Sequence, residues 1–497
     1  MRQPLYVINN IGDSLRVVRA RLASAKTGKS TARLQTPRIA ARQMRLPRKP
    51  PDLSSLLTEL SKRDSNRFVQ VIGRQSGTVD EQGRYLHWDE MRFKKMPGDL
   101  TPEEVWMGTR MARSMTAQRL PLTDAAGTTF SYCEPPSLKA SLRNLDMNAG
   151  GSLASDVNAL SSGDGRLYLA RSLAEEPFAS SLIEGAATTR QIAKKLIFEG
   201  RAPLTKDERM VINNYRALEF VKAHRSDPLS VELILETHRI ITDGTLPSVA
   251  DAGRIRTSND VQVVDGTSGD ILYDPPDCAE LGKRLDAIVK FANQEVDNNV
   301  WIHPIIKAII LHFMIGYEHP FVDGNGRLAR ALFYWSALKD GYWLVEYVSI
   351  SSIIAEEKIQ YGKSYLHTES DSGDTTYFVL YNLKILERAV ERLGEYVNRR
   401  RAELLAFEKR IADSHIFNHR QTWILNEIAR NRSGAVTIAD HQERNGVSYL
   451  TARNDLETLV ALSLLRKEKV GRTSNYVPVR DLVRRLTSTS VARAVAS

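Results

Sequence analysis

Cysteine is scarce in this sequence: Cys133 and Cys278 are the two thiols among 497 residues. Two thiols cannot build a disulfide framework or a thiolate metal cage, and low cysteine use is what a reducing compartment allows. No uncharged apolar run of about 18 residues occurs, so no membrane-spanning helix is expected. The first residues have no apolar core of the signal-peptide kind, and a cytoplasmic setting without membrane contact is the expectation. Acidic residues are nearly missing from positions 1–50, where Asp13 stands against twelve Lys and Arg. The whole chain carries a net charge of +10, so positions 51–497 sum to about −1. The basicity belongs to one end and not to the body.

What is present is the composition of a folded chain. Hydrophobic residues make up 42% and charged residues 26%, which excludes a disordered chain or a coiled-coil rod. The length suits about three domains. Residues 1–50 read as a basic disordered arm, closed by Pro47, Pro50 and Pro51. The arm suits contact with an acidic surface, an organelle-targeting leader, or else an unselective leader or a start site placed too early with Met44 as a later candidate, and this last pair is the preferred reading. Residues 51–150 read as a small helical or mixed domain. In it Thr101-Pro102-Glu103-Glu104 has the spacing of a capping box with Pro in the first turn. Tyr85, His87 and Trp88 read as core. Residues 148–164, rich in Gly, Ser, Asn and Asp, read as a linker.

From 165 to 400 the apolar residues recur at helical spacing. One segment departs from it. Two β-like runs, 260–264 and 270–273, flank Asp265-Gly266-Thr267-Ser268-Gly269 and predict a hairpin. Residues 405–480 run helix, helix, Gly446 turn, helix and then two short strands around Gly471-Arg472-Thr473-Ser474. That is the order of a winged-helix module. Ser448, Tyr449, Thr451, Arg453 and Asn454 open its third helix, and Lys467, Lys469 and Arg472 lie near the wing. DNA contact and protein docking both remain open for it. Residues 481–497 read as a tail.

The most informative stretch is His319-Pro320-Phe321-Val322-Asp323-Gly324-Asn325-Gly326-Arg327-Leu328-Ala329-Arg330. A helix ends at His319-Pro320. The two glycines permit backbone N–H groups to converge into an anion nest. A new helix starts near Arg327 with its positive end at the loop. Arg327 and Arg330 lie three apart and suit two charge clamps for a polyphosphate. Asp323 offers one carboxylate, the usual share for Mg²⁺ bound with phosphate oxygens. His319 has the pKa of a general base. Together these residues predict phosphoryl or nucleotidyl transfer. The Asp-Gly-Asn-Gly tetrapeptide alone would pass for an interhelical turn. No acidic ligand follows in the positions that a calcium loop requires, and His312 reads as a packed structural histidine.

The stretch 319–330 resembles the signature of the Fic (Fic/Doc) family, His-Pro-Phe-x-Asp-Gly-Asn-Gly-Arg-x-x-Arg, with each fixed position filled. Asn214-Tyr215-Arg216-Ala217-Leu218, His238-Arg239, Gly253-Arg254-Ile255-Arg256, Tyr273-Asp274-Pro275-Pro276 and Tyr361 with Tyr365-Leu366 resemble further landmarks. The resemblance implies a mainly α chain: a Fic-type helical core with a β-hairpin flap, beside the N-terminal small domain and the C-terminal winged helix. It implies a protein adenylyltransferase using ATP and Mg²⁺ to place AMP on a Ser, Thr or Tyr hydroxyl. In that reading His319 is the base and Asp323 holds Mg²⁺. Gly324, Asn325 and Gly326 cradle phosphate, the Asn325 side chain assists, and Arg327 and Arg330 grip the β- and γ-phosphates. The hairpin at 260–273 would dock the target protein.

Ser180-Ser181-Leu182-Ile183-Glu184-Gly185 resembles the family's inhibitory motif, which places an inhibitory helix near 178–190. The implied brake is Glu184 pairing with Arg330, with Ser180 and Gly185 as the motif's other fixed positions. Alternatives at this stage are a DNA-binding regulator with a nucleotide-sensing core, and a Fic enzyme that removes AMP or transfers another phosphate-containing group. A homodimer is a candidate assembly.

Overall fold

The computed structural model describes residues 6–7, 44–73, 77–150, 173–265, 268–294, 301–414, 416–431, 435–470, 473–479 and 482. Most of the basic arm, residues 151–164 of the expected linker, Gly266-Thr267 in the hairpin turn, Gly471-Arg472, and all of the tail but Leu482 lie outside the described residues. The chain divides into two compact units, meeting between Val390 and Glu391. Among the described residues no helix is long and apolar enough to cross a membrane.

The first unit is mainly helical. Two helices form its centre, α11 (Pro304–Glu318) and α12 (Asn325–Lys339), with the signature loop between them. Ile305, Ile306, Ile309, Ile310, Leu311 and Phe313 surround α11 with apolar side chains, and each is fully buried. A helix apolar on every side belongs at the middle of a core. The helices before it in the chain are α6 (Glu175–Ile183), α7 (Arg190–Phe198), α8 (Lys206–Ala223), α9 (Val231–Thr242) and α10 (Leu281–Ala292). Those that follow are α13 (Ile350–Glu356), α14 (Lys358–Ser370) and α15 (Thr376–Ser414). Hydroxyl caps start several of them: Thr189, Thr205 and Ser230 each accept an N–H from the first turn. The expected hairpin is present as β4 (Val263–Val264) antiparallel to β5 (Ile271–Tyr273). A two-residue strand β1 (Tyr6–Val7) pairs with β4 in parallel. The hairpin thus carries a strand from the segment read as arm.

Residues 51–150 differ from the separate domain that the sequence suggested. They comprise α1 (Leu53–Arg63), α2 (Ser65–Gly73), α3 (Trp88–Met91), α4 (Pro102–Thr116), the antiparallel pair β2 (Gln118–Thr123) and β3 (Thr129–Tyr132), and α5 (Pro136–Ala149). All of this belongs to the same compact unit as the central helices. The reason is a set of buried polar links across long sequence distances. Arg113 Nη1 donates to Tyr377 Oη at 2.7 Å, Tyr85 Oη to Asp374 Oδ2 at 2.5 Å, and Cys133 N to Thr376 Oγ1 at 2.9 Å. The capping box at Thr101–Glu104 forms, and Glu104 also pairs with Arg67. His87 and Trp88 are core residues, as their aromatic neighbours suggested.

The second unit holds the end of α15, α16 (His419–Asn431), α17 (Ile438–Asn445), α18 (Tyr449–Ala461), and a sheet in the order β6 (Val436–Thr437), β8 (Thr473–Pro478), β7 (Leu465–Val470). Thr437 and Asp440 form a capping box, and Gly446 ends α17 in the left-handed region. Ile424, Leu425, Leu456, Leu459, Leu464 and Tyr476 make its core. Asp455, 5% exposed, takes Arg420, Asn418 and His441 as partners.

Candidate active site

His319 closes α11 in the left-handed region, at φ 47° and ψ 55°. Few residues with a Cβ adopt this conformation, and His is among those that do more often. It turns the chain out of α11 and leaves the imidazole at the loop. Arg256 fixes the turn. Its Nε donates to the His319 carbonyl at 3.0 Å, its backbone N to the Pro320 carbonyl at 2.9 Å, and its Nη2 to Pro276 O. His319 Nδ1 lies 3.1 Å from the Gly316 carbonyl. With the proton on Nδ1 for that bond, Nε2 is left as a bare acceptor. Burial holds the imidazole below its ordinary pKa, against the pull of the Gly316 carbonyl, Glu184 and Asp323. A neutral ring at neutral pH is the form that takes up a proton.

The loop is braced from within. Asn325 Oδ1 accepts the Phe321 N–H at 3.0 Å and Asn325 Nδ2 donates to the Phe321 carbonyl at 2.7 Å. Phe321 stacks on His238, centroids 3.7 Å apart. His238 Nδ1 accepts from Gly253 N at 2.9 Å, which leaves its Nε2–H to donate to the Asp323 carbonyl at 2.8 Å. Burial lowers His238 to about 4, so it stays neutral and keeps this tautomer. Gly324 sits at φ 88°, and a Cβ there would press on Thr242 Cγ2 at 2.9 Å. Only glycine suits that position.

Two sequence expectations change here. The Asn325 side chain was expected to assist at the phosphates, but both its polar atoms are spent on the Phe321 backbone. Arg327 was expected to grip phosphate, but its side chain is fully buried and is not among the residues lining the cavity. Its Nη1 donates to the Ile241 carbonyl at 3.3 Å and its Nη2 to Asp323 Oδ1 at 3.4 Å. Arg327 therefore positions Asp323. The other oxygen of Asp323 makes no hydrogen bond among the described residues, and Asp323 lines the cavity. A single open carboxylate oxygen beside an N–H nest fits the way Mg²⁺ is held when phosphates supply further oxygens.

Arg330 does line the cavity, and it is held. Its Nε donates to Ser180 Oγ at 2.9 Å, and its Nη2 to the Ser180 carbonyl at 3.1 Å and to Glu184 Oε1 at 2.8 Å. Glu184 caps the end of α6, and Gly185 follows at φ +93°. A Cβ on Gly326 would run into Glu184 Oε1, so the carboxylate lies over the cradle itself. Burial opposes ionisation of Glu184. Arg330 and Arg327 override it, and the carboxyl stays below its ordinary pKa. The helix carrying Glu184 is pinned at its other end, where Glu176 accepts from Ser349, from Ser351 N at 3.0 Å and from Ser351 Oγ. The expected inhibitory helix thus ends at Ile183, and a turn separates it from α7.

These groups surround a cavity of about 450 Å³, within the usual range for small-molecule sites. His319, Asp323, Gly324, Asn325, Gly326, Arg330 and Glu184 line one side. Val263, Leu272 and Tyr273 of the hairpin and one face of α14 line the others. The chemistry-bearing residues that the sequence reading passed over or left without a role are His238, Arg256, Lys358, Tyr361 and Glu369. His238, Arg256 and Tyr361 were noticed as landmarks, but nothing in their type announced a role. His312 is structural as expected, with Nε2 2.8 Å from Tyr361 Oη.

Residues 228–337 match the Fic/DOC family. That segment is a Fic domain. The chain is 31% identical over 191 residues to the protein adenylyltransferase fic-1 of Caenorhabditis elegans, covering 38% of this chain and 34% of that protein. It is 28% identical over 239 residues to the protein adenylyltransferase Fic of Nematostella vectensis, covering 46% of this chain and 51% of the other. The chain thus spans about a third to a half of the length of these relatives. Among solved structures, a Fic family protein from Desulfovibrio desulfuricans aligns with 70% of this chain and 98% of its own, with a TM-score of 0.46 and 20% identity. The Fic domain contains α9, the hairpin, α10, α11 and nearly all of α12, and so includes the complete signature loop.

Proposed function

We propose that this protein is an adenylyltransferase that moves AMP from ATP to a hydroxyl of a target protein, and that Glu184 holds it in check. The observation that carries this reading is the joint placement of a neutral His319, an open Asp323 oxygen and the N-terminus of α12 around one cavity. Relatives named protein adenylyltransferase support the reaction class.

In this mechanism His319 Nε2 takes the proton of a Ser, Thr or Tyr hydroxyl as its oxygen attacks the α-phosphorus. The bond to the β-phosphate oxygen breaks and pyrophosphate leaves. The backbone N–H groups at Gly324, Asn325 and Gly326, at the start of α12, carry the negative charge that grows on the phosphate oxygens. Asp323, oriented by Arg327 and by the His238 bond to its carbonyl, would hold Mg²⁺, which supplies charge neutralisation on the phosphates when bound. Arg330 clamps the terminal phosphate once Glu184 releases it. The hairpin edge pairs with an extended stretch of the target by main-chain hydrogen bonds.

The test is label transfer from ATP carrying a labelled α-phosphate, in a Glu184→Gly background with Mg²⁺ and cell lysate. Protein-bound label that vanishes in Glu184→Gly/His319→Ala supports the reading. No label with ATP binding intact, or label that survives His319→Ala, rejects it.

A further inference from the structure

Residues 118–132 line no part of the cavity, yet they reach the end of the helix that carries His319. Their strands β2 and β3 are joined by a turn that Asp124 closes. Asp124 Oδ1 accepts the N–H of Ala126 at 2.9 Å and of Thr128 at 2.7 Å, and Asp124 N donates to the Thr128 carbonyl at 2.8 Å. Gly127 sits in the turn at φ +84°. An Asp side chain that bonds the backbone ahead of it fixes a turn from within.

The two residues immediately before His319 are both tied to this turn. Tyr317 Oη accepts the Ala125 N–H at 3.1 Å, and the Tyr317 ring meets Phe130 of β3 edge-on, centroids 5.2 Å apart. Glu318 is tied through Arg284 of α10. Arg284 Nε donates to Glu318 Oε2 at 2.5 Å and Nη2 to Oε1 at 2.9 Å. The same guanidinium donates to the Thr123 carbonyl at 2.6 Å and to the Asp124 carbonyl at 3.3 Å. A fork that engages both carboxylate oxygens fixes direction as well as distance. The Glu318 side chain is 1% exposed. A buried ion pair is weak evidence for stability, because apolar residues of similar volume commonly serve as well. Its place, one residue ahead of the base, gives it another use.

His319 is held at φ 47°, where a residue with a Cβ stays only if its surroundings force it. Downstream, Arg256 holds the His319 and Pro320 carbonyls. Upstream, the side chains of Tyr317 and Glu318 fix the last turn of α11. Resting on the adenylyl-transfer reading above, we infer that Arg284, Glu318 and the β2–β3 turn are positioning elements for His319, holding the strained end of α11 so that the imidazole meets the attacking hydroxyl. None of them lines the cavity, so they act through His319 and not on the nucleotide. A displacement of about 1 Å at a reacting group costs on the order of 100-fold in rate.

The experiment uses Arg284→Met/Glu318→Met in the full chain carrying Glu184→Gly. This pair removes both charges, keeps two long side chains and leaves no buried charge without its partner. Single-turnover transfer from α-labelled ATP to lysate protein is measured at saturating ATP with Mg²⁺, beside the ATP Kd by calorimetry and a thermal melt. The transfer rate is expected to fall on the order of 10–100-fold while the ATP Kd stays within about twofold and the melting temperature within a few degrees. A second pair of variants reaches the same end from the turn. Asp124→Ala loosens the turn and slows transfer, and Asp124→Asn, which keeps the Oδ1 acceptor, returns most of the rate. An unchanged rate in the double Met variant, or a loss of rate matched by weaker ATP binding, overturns the inference and leaves the proposed reaction standing. If the double Met variant melts far below its parent, the Asp124 variants decide, and equal rates in the two overturn the inference. Absence of label in Glu184→Gly itself overturns both.

Discussion

Replacing Glu184 by glycine removes one carboxylate from a place where two effects meet. Electrostatically, Arg330 loses its only ion pair among the described residues, keeping the Ser180 hydroxyl and carbonyl as neutral partners. Sterically, the space above Gly326 opens. A charge-assisted hydrogen bond of this kind is worth about 1.5–3 kcal/mol. Freeing Arg330 to spend that interaction on a terminal phosphate therefore raises the rate of AMP transfer roughly 10–150-fold. The same change has a structural cost. The Arg330 side chain is 2% exposed, and breaking a buried pair costs up to about 3–5 kcal/mol. The Glu184 side chain is 24% exposed, which places the cost toward the lower end. The variant is expected to melt below the unaltered protein without nucleotide and to recover with ATP and Mg²⁺, whose phosphate replaces the lost carboxylate. Single-turnover transfer of α-labelled phosphate and a thermal melt in parallel check both halves. Glu184→Gln separates them, since it removes the charge and keeps the volume. Because Arg330 and Arg327 hold the Glu184 carboxyl below its ordinary pKa, the pairing persists at neutral pH and is lost only as pH falls through that depressed value. The ratio of variant to unaltered rates is therefore constant between about pH 6 and 8. Rates within twofold of each other, with ATP bound equally, would refute the reasoning.

Asn325→Ala strips both braces from the Phe321 backbone, at about 1–3 kcal/mol for each polar group left unpaired, and a melting temperature lower by several degrees checks it. Arg327→Met is expected to leave ATP affinity measured without divalent ions unchanged while AMP transfer falls, because Arg327 acts through Asp323; weaker metal-free binding would return it to the phosphate clamp. In the second unit, Asp455 is held at about 2 by Arg420, Asn418 and His441 against the cost of its burial. Its contribution is present above about pH 4 and fades as pH falls through about 2, so Asp455→Asn lowers stability at neutral pH by about 1 kcal/mol, allowing for solvent screening, and the two proteins converge in acid denaturation.

The parts of the site that were legible in the sequence are those where residue type and spacing dictate geometry. Glycines at 324 and 326 between two helical patterns leave few backbone paths, and the hairpin announces itself by a change of period from 3.6 to 2. What the sequence hid was the direction of side chains. Arg327 and Arg330 are the same residue type three positions apart, yet one turns into the core toward the Ile241 carbonyl and the other toward the cavity. Asn325 has the chemistry to touch phosphate and uses it on Phe321, four residues back. The independence of residues 51–150 was misread for a related reason. Local composition displays helices and turns, but the Arg113–Tyr377 bond joins positions 264 apart in the chain. Glu369 was invisible because a glutamate on a helix is ordinary until it is seen to line a cavity.

Gly326 has a consequence for how such a protein can change over time. On the proposed reading, the missing side chain at this one position makes room for the Glu184 carboxylate that acts as the brake and keeps the phosphate cradle open. Any larger residue there would evict the brake and spoil the cradle in the same step. Constitutive activity is therefore not reachable from position 326. A lineage escaping inhibition has to alter the α6 side of the contact, at Glu184 or its support by Glu176, and leave the signature untouched.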